Sequence, residues 1–175
     1  MVSSPSGGTP TGSVSFVDGG TTLANSTLID GEAKFATNNL PLGLNTITAL
    51  YSGDSKYGFS NSLLNQHVLE ASTHTTLTSS SNPSFVGQAV RFTAKLSSSS
   101  GTPPDGETIT FSNDAKIYGT APLKASTASL IISSIPAGNK TIRASYAGDD
   151  TFIGSFGTVQ QTVNRYPTST LVAYS

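Results

Sequence analysis

The sequence predicts an all-β chain made of two tandem β-sandwiches, and three observations carry the prediction. Shifted by about 95 residues, the sequence superposes on itself without gaps. Turn signals built on Gly, Pro, Asn and Asp recur every 8 to 12 residues or so, with no helical period between them. Along the intervening runs apolar residues alternate with polar ones, the period of a half-buried strand.

The duplication is plainest around a corner, a strand and a turn. Leu40-Pro41-Leu42-Gly43, then Ile47, Ala49 and Tyr51, then Gly53-Asp54 returns as Ile135-Pro136-Ala137-Gly138, Ile142, Ala144 and Tyr146, and Gly148-Asp149. The same shift sets Phe16 on Phe111, Leu28 on Leu123, Phe35 on Leu130, Tyr57 on Phe152 and Gln66 on Gln161. Phe16, Tyr51, Phe111 and Tyr146 recur in register on inward faces and are expected to be core.

The second copy supplies the strand map. A short strand at Thr75-Thr76-Leu77-Thr78 is closed by a turn at Asn82-Pro83. Residues 88–96 form the clearest strand, with Val90, Phe92, Ala94 and Leu96 inward and Arg91, Thr93 and Lys95 outward. After a loop over residues 97–106, strands are expected at 108–111, 116–123 and 127–132, then the twice-written strand, then a last one ending at Val163.

The first copy starts late: Val2 aligns near Leu96, so the two opening strands have no counterpart in it. The frame gives an incomplete repeat over residues 1–70 and a complete one over 73–164. Residues 165–175 read as the first strand of a third repeat or as a donor strand for another molecule. In the second case Thr168, Thr170, Leu171, Val172, Ala173 and Tyr174 would make the intermolecular contact. The linker from Leu69 to Thr73 holds no Gly or Pro, which predicts a semi-rigid joint. Losing two or three buried side chains at roughly 1.5–3 kcal/mol each predicts a first repeat with an open apolar face and a free strand edge.

At this point the residues resemble a known family. Gly12-Ser13-Val14-Ser15-Phe16-Val17-Asp18-Gly19 and the corner-strand-turn block, extended by Tyr57, are similar to the group 3 type of bacterial Ig-like tandem repeat domains. The second copy matches through Ile109-Thr110-Phe111, Pro136, Gly138, Ala144, Tyr146, Gly148-Asp149 and Phe152. The resemblance implies two tandem Ig-like β-sandwiches from secreted or surface-anchored proteins, an extracellular or cell-surface location, and no shared catalytic residues. The Cys pair and core Trp of antibody domains are absent from the chain.

Composition narrows the function. Charged residues make up 11% of the chain and the formal net charge is -1, so the electrostatic footprint of a nucleic-acid binder is missing. No apolar run reaches the roughly 20 residues that span a bilayer, so no membrane insertion is expected in this segment. Without cysteine there are no disulfides, thiolate nucleophiles or Cys-based zinc sites. The two histidines, His67 and His74, flank the linker and read as surface residues. Asp54, Asp149, Asp150, Asp18 and Asp114 sit in turns; calcium is the sharper reading and turn capping the favoured one. Gln66 and Gln161 fall on the apolar face and need hydrogen-bond partners there. No cofactor, metal or catalytic residue is assigned.

The expected function is a non-enzymatic structural or spacer repeat of a bacterial surface or fibre protein, assembling head to tail through its C-terminal strand. Its partners would be other copies of itself or neighbouring Ig-like repeats. The alternative is an adhesin or glycan-binding module, for which Tyr51, Tyr57, Tyr146 and Phe152, or the less constrained Tyr118, Tyr166 and Tyr174, would supply stacking faces.

Overall fold

The computed structural model describes residues 1–5, 7–114 and 116–172, and the chain divides into two units at Leu69/Glu70. Unit 2 is a closed sandwich. Its first sheet holds β5 (Thr73–Ser79), β7 (Val90–Ser98) and β10 (Thr127–Ile132) in the order β10-β7-β5. Its second holds β6 (Ser84–Phe85), β8 (Thr108–Asn113), β9 (Lys116–Pro122), β11 (Gly138–Gly148) and β12 (Ile153–Asn164), ordered β6-β12-β11-β8-β9. Alternation decides which face is buried: Val90, Phe92, Ala94 and Leu96 of β7 meet Ile109, Phe111, Ile142 and Ala144 in one core.

Among the described residues unit 1 forms a single sheet: β1 (Ser13–Asp18), β2 (Thr21–Thr27), β3 (Gly43–Tyr51) and β4 (Ser60–Val68), ordered β2-β1-β3-β4. It reproduces β9-β8-β11-β12 pair by pair. Phe16 lies opposite Ala49 as Phe111 lies opposite Ala144, and Val14 opposite Tyr51 as Ile109 opposite Tyr146. Even the bulge recurs, after Phe16 in β1 and after Phe111 in β8.

The Tyr-x-Gly-Asp motif has a local cause. Gly53 and Gly148 sit at φ 90° and 88°, in the left-handed region that side chains avoid. A Cβ on Gly148 would lie 2.6 Å from the Phe152 carbonyl oxygen, and one on Gly53 2.7 Å from that of Tyr57. The following Asp closes the turn: Asp54 Oδ1 accepts from the N–H groups of Lys56 and Tyr57, and Asp149 Oδ1 from those of Thr151 and Phe152.

Several expectations are corrected at their edges. The strand read as residues 88–96 runs Val90–Ser98, and the one read as 75–78 runs Thr73–Ser79. Strand β6, two residues paired in parallel with the end of β12, carries too short a pattern to be read from sequence. One larger difference matters. Phe35 aligns with Leu130 of β10, yet residues 33–37 form no strand. In unit 2 β10 takes its ladder from β7, and among the described residues of unit 1 no β7 counterpart supplies one.

Candidate functional site

The inner face of the unit 1 sheet is apolar where its unit 2 counterpart is apolar, because the repeat keeps the inward pattern. What differs is cover. Val14, Leu28 and Tyr51 are buried under the N-terminal segment, where Val2 packs beside them. Farther along the same face Phe16, Ile47 and Ala49 are half-buried, whereas Phe111, Ile142 and Ala144 at the matching places are sealed. Leu64 on β4 is 62% exposed. Together with Phe35, Leu40, Gln66 and Val68 these residues line a groove of about 580 Å³. Phe35 partly fills it by stacking on Phe16, ring centroids 5.4 Å apart and 26° between planes.

The groove is bordered by an edge. Strand β4 pairs with β3 along one side, while its other side has no strand partner among the described residues and its residues are exposed from Ser60 to His67. In unit 2 the equivalent strand β12 meets β6 at that side and packs beneath β5, with Thr73 and Thr75 hydroxyls on Ser155 Oγ at 2.8 and 2.7 Å. An apolar face beside an unpaired strand edge is the arrangement that takes up an additional strand. Among the described residues the lining of the groove contains no titratable side chain.

The N-terminal segment is held at the other end of the sheet. Asp54 Oδ2 accepts from Thr11 N–H and from Thr11 Oγ1, both at 2.8 Å, and Tyr51 Oη donates to the Thr11 carbonyl at 2.9 Å. The Thr11 N–H, helped by that of Lys56, holds the Asp54 carboxyl well below the usual carboxylate range. Burial, helped by Asp54, raises the Tyr51 phenol. Tyr57 Oη reaches the Gly7 carbonyl at 3.0 Å. Unit 2 has no such clamp: Tyr146 is buried with its hydroxyl unpartnered, and burial beside Asp149 and Glu107 pushes its phenol up to about 12.

The residues expected to matter are distributed as follows. Phe111, Tyr51 and Tyr146 are core, and Phe16 floors the groove. Thr168, Thr170, Leu171 and Val172 lie outside any strand, with Leu171 and Val172 93% and 83% exposed; Ala173 and Tyr174 lie outside the described residues. Gln161 is fully buried: its Oε1 accepts from Ser79 Oγ, and its Nε2 donates to the Ser81 carbonyl and Ser84 Oγ. Gln66, without a Ser79–Ser84 equivalent, is exposed and lines the groove. His67 and His74 are exposed, and no group of three or more His, Asp or Glu among the described residues could hold a metal. Tyr51 and Tyr146 are too buried to be stacking platforms. The exposed aromatic rings include Phe156, under the Arg143 guanidinium at 3.7 Å, and Tyr166, stacked on Phe85 at 4.9 Å. The Thr11 clamp was not legible beforehand, since the second copy has Gly106 where the first has Thr11.

The model of the bacterial Ig-like domain, group 3, matches residues 1–69 and again residues 77–164. Among solved structures the chain is similar to the fibronectin(III)-like modules of Clostridium thermocellum CbhA, with 17% identity over all of this chain and 88% of that one and a TM-score of 0.43. No curated protein matches. Among the described residues no helix is long and apolar enough to cross a membrane.

Proposed function

The chain belongs to the bacterial Ig-like domain family, group 3, and on that premise we propose that it is a non-enzymatic structural or spacer repeat of an extracellular or cell-surface protein. The observation that carries the reading is the pairing of one closed sandwich with one single-sheet unit whose apolar face and strand edge are open. Such a unit is an acceptor for β-strand addition. The donor is the C-terminal segment of another copy, Thr168 to Tyr174. Thr168 and Thr170 stand where Thr73 and Thr75 stand in unit 2, and Ser60 stands where Ser155 does. Because donor and acceptor are different surfaces, the contact is heterologous and propagates head to tail.

Sedimentation and electron microscopy of the full chain and of a chain ending at Arg165 test this. Concentration-dependent assembly lost on truncation is the expected result. Assemblies that persist without the tail would sink the head-to-tail reading.

An adhesin or glycan-binding role is the second reading, favoured by the exposed Phe156 ring with Arg143 on it. Phe156→Ala should then abolish retention on a glycan array. Unchanged retention, or none to begin with, removes that reading.

A further inference from the structure

The outer face of the β12-β11-β8 sheet in unit 2 differs from that of the sheet it duplicates. Ile142, Ala144 and Tyr146 point into the core, so alternation turns Thr141, Arg143 and Ser145 outward, with Phe156, Thr158 and Gln160 beside them on β12. In register Arg143 lies between Ser112 of β8 and Thr158 of β12, and Ser145 between Thr110 and Phe156. The neighbours of the arginine on this face are therefore neutral, and most carry a hydroxyl. At the matching places unit 1 has Thr48 for Arg143, Leu50 for Ser145, Asn61 for Phe156 and Leu63 for Thr158. Unit 1 builds the same ladder from those residues, so the fold does not require an arginine and a phenylalanine there.

Arg143 is held at two points. Its guanidinium carbon lies 3.7 Å from the centroid of the Phe156 ring, and its Nε donates to Ser145 Oγ at 2.9 Å. Stacking and that hydrogen bond fix the plane of the guanidinium and leave its two terminal nitrogens to meet a ligand. No carboxylate among the described residues pairs with it; the ion pair they form is Lys34 with Glu32, in unit 1. A side chain already restrained loses less freedom on meeting an anion, and the guanidinium fork matches the two oxygens of a carboxylate. Phe156 stays 55% exposed, and its neighbour along the same face, Gly154, has no side chain to cover the ring.

We infer that this face binds a glycan through the carboxylate of an acidic sugar. Arg143 grips the carboxylate with its terminal nitrogens, Phe156 takes an apolar edge of the sugar ring, and the surrounding Thr and Ser hydroxyls meet the sugar hydroxyls. Arg143 is the one cation on this face of β8, β11 and β12, which suits one negative charge per sugar. A densely charged polyanion takes a cluster of cations instead. The inference rests on the glycan-binding reading and narrows it from any sugar to a carboxylate-bearing one.

The test is retention of the full chain on an array of galacturonate, glucuronate and N-acetylneuraminate oligomers. Each stands beside its carboxyl-reduced form, with a sulfated galactan and polyglutamate as further probes. The acidic oligomers are expected to be retained, and their reduced forms to bind at least roughly tenfold more weakly. Arg143→Gln should lose the same factor, and Arg143→Lys, which keeps the charge without the fork, most of it. Arg143 is exposed, so the thermal melts of both variants should coincide with that of the parent chain. Retention should also weaken as salt rises. Acidic and reduced forms retained alike, both lost with Phe156→Ala, would overturn this inference and leave glycan binding standing. Sulfated galactan or polyglutamate held as tightly as the sugar acids overturns it as well. If no oligomer is retained, this inference and the glycan reading fall together.

Discussion

Phe16 and Phe111 occupy one position of one repeat, opposite the same alanine in the same register, yet Phe111 is fully buried and Phe16 is not. The same holds for Ile47 against Ile142 and Gln66 against Gln161. Each sheet of this sandwich therefore behaves differently when its partner is missing. The β2-β1-β3-β4 sheet keeps its ladder, bulge and Gly-Asp turn, because hairpin contacts and turn chemistry are local to it. The facing layer differs: residues 33–37 form no strand where, among the described residues of unit 1, no β7 counterpart lies beside them, since a lone strand has nowhere to place its backbone hydrogen bonds. Strand pairing makes the sheet, and only sheet-on-sheet packing makes the core.

Matched substitutions put numbers on that difference. Phe111→Ala should cost about 3–5 kcal/mol, the range for a sealed aromatic, while Phe16→Ala should cost less, about 2–3, because its ring is only partly covered. Chemical denaturation read separately at amides of each unit checks this, and equal losses would break the comparison. The next largest contrast is between the glutamines. Gln161→Leu removes the amide bonded to Ser79, Ser81 and Ser84 and should lose roughly 2–3 kcal/mol, whereas Gln66→Leu should stay within about 0.5.

The tyrosines should respond with opposite sign. Tyr51→Phe removes the hydrogen bond to Thr11 and should cost about 1 kcal/mol. Tyr146→Phe removes a buried hydroxyl with no partner and should be neutral or stabilising by up to about 1 kcal/mol. The Tyr146 phenol is raised in the folded state, so the stability linked to it is complete below about pH 10 and is lost as pH climbs toward about 12. Thermal melts across that range should show a shallower alkaline fall for Tyr146→Phe.

The smallest effect separates the turns. Asp54 is depressed in the folded state, so its contribution is complete above about pH 4 and falls away as pH drops further through the folded value. Hydrogen exchange in acid should show residues 1–12 released from the Tyr51 end of the sheet, and Asp54→Asn should flatten that response. An acid limb that Asp54→Asn leaves untouched would show the Thr11 clamp to be incidental.

Much of this was legible because repetition in sequence is repetition in structure. The twice-written Ile-x-Ala-x-Tyr-x-Gly-Asp block named the strand, its inward face and the turn, each a consequence of a two-residue period and a left-handed glycine. Counting from it placed Val2 on Leu96, and the hydrogen bond from Val2 to Gly31 repeats the one from Leu96 to Ser126. The β6 pairing and the Thr11 clamp were not legible, because one is two residues long and the other joins side chains 43 positions apart in only one of the copies.

By itself, then, the sequence determined an all-β chain, the repeat frame and the inward residues of each copy. Tertiary structure decided which of those inward residues are covered. Phe35 carries the same pattern as Leu130, but whether it belongs to a strand depends on a neighbour far away in the chain, and whether Phe16 is core or groove depends on the layer above it. Side-chain periodicity is a local property; burial is a relation between layers, and no run of residues contains it.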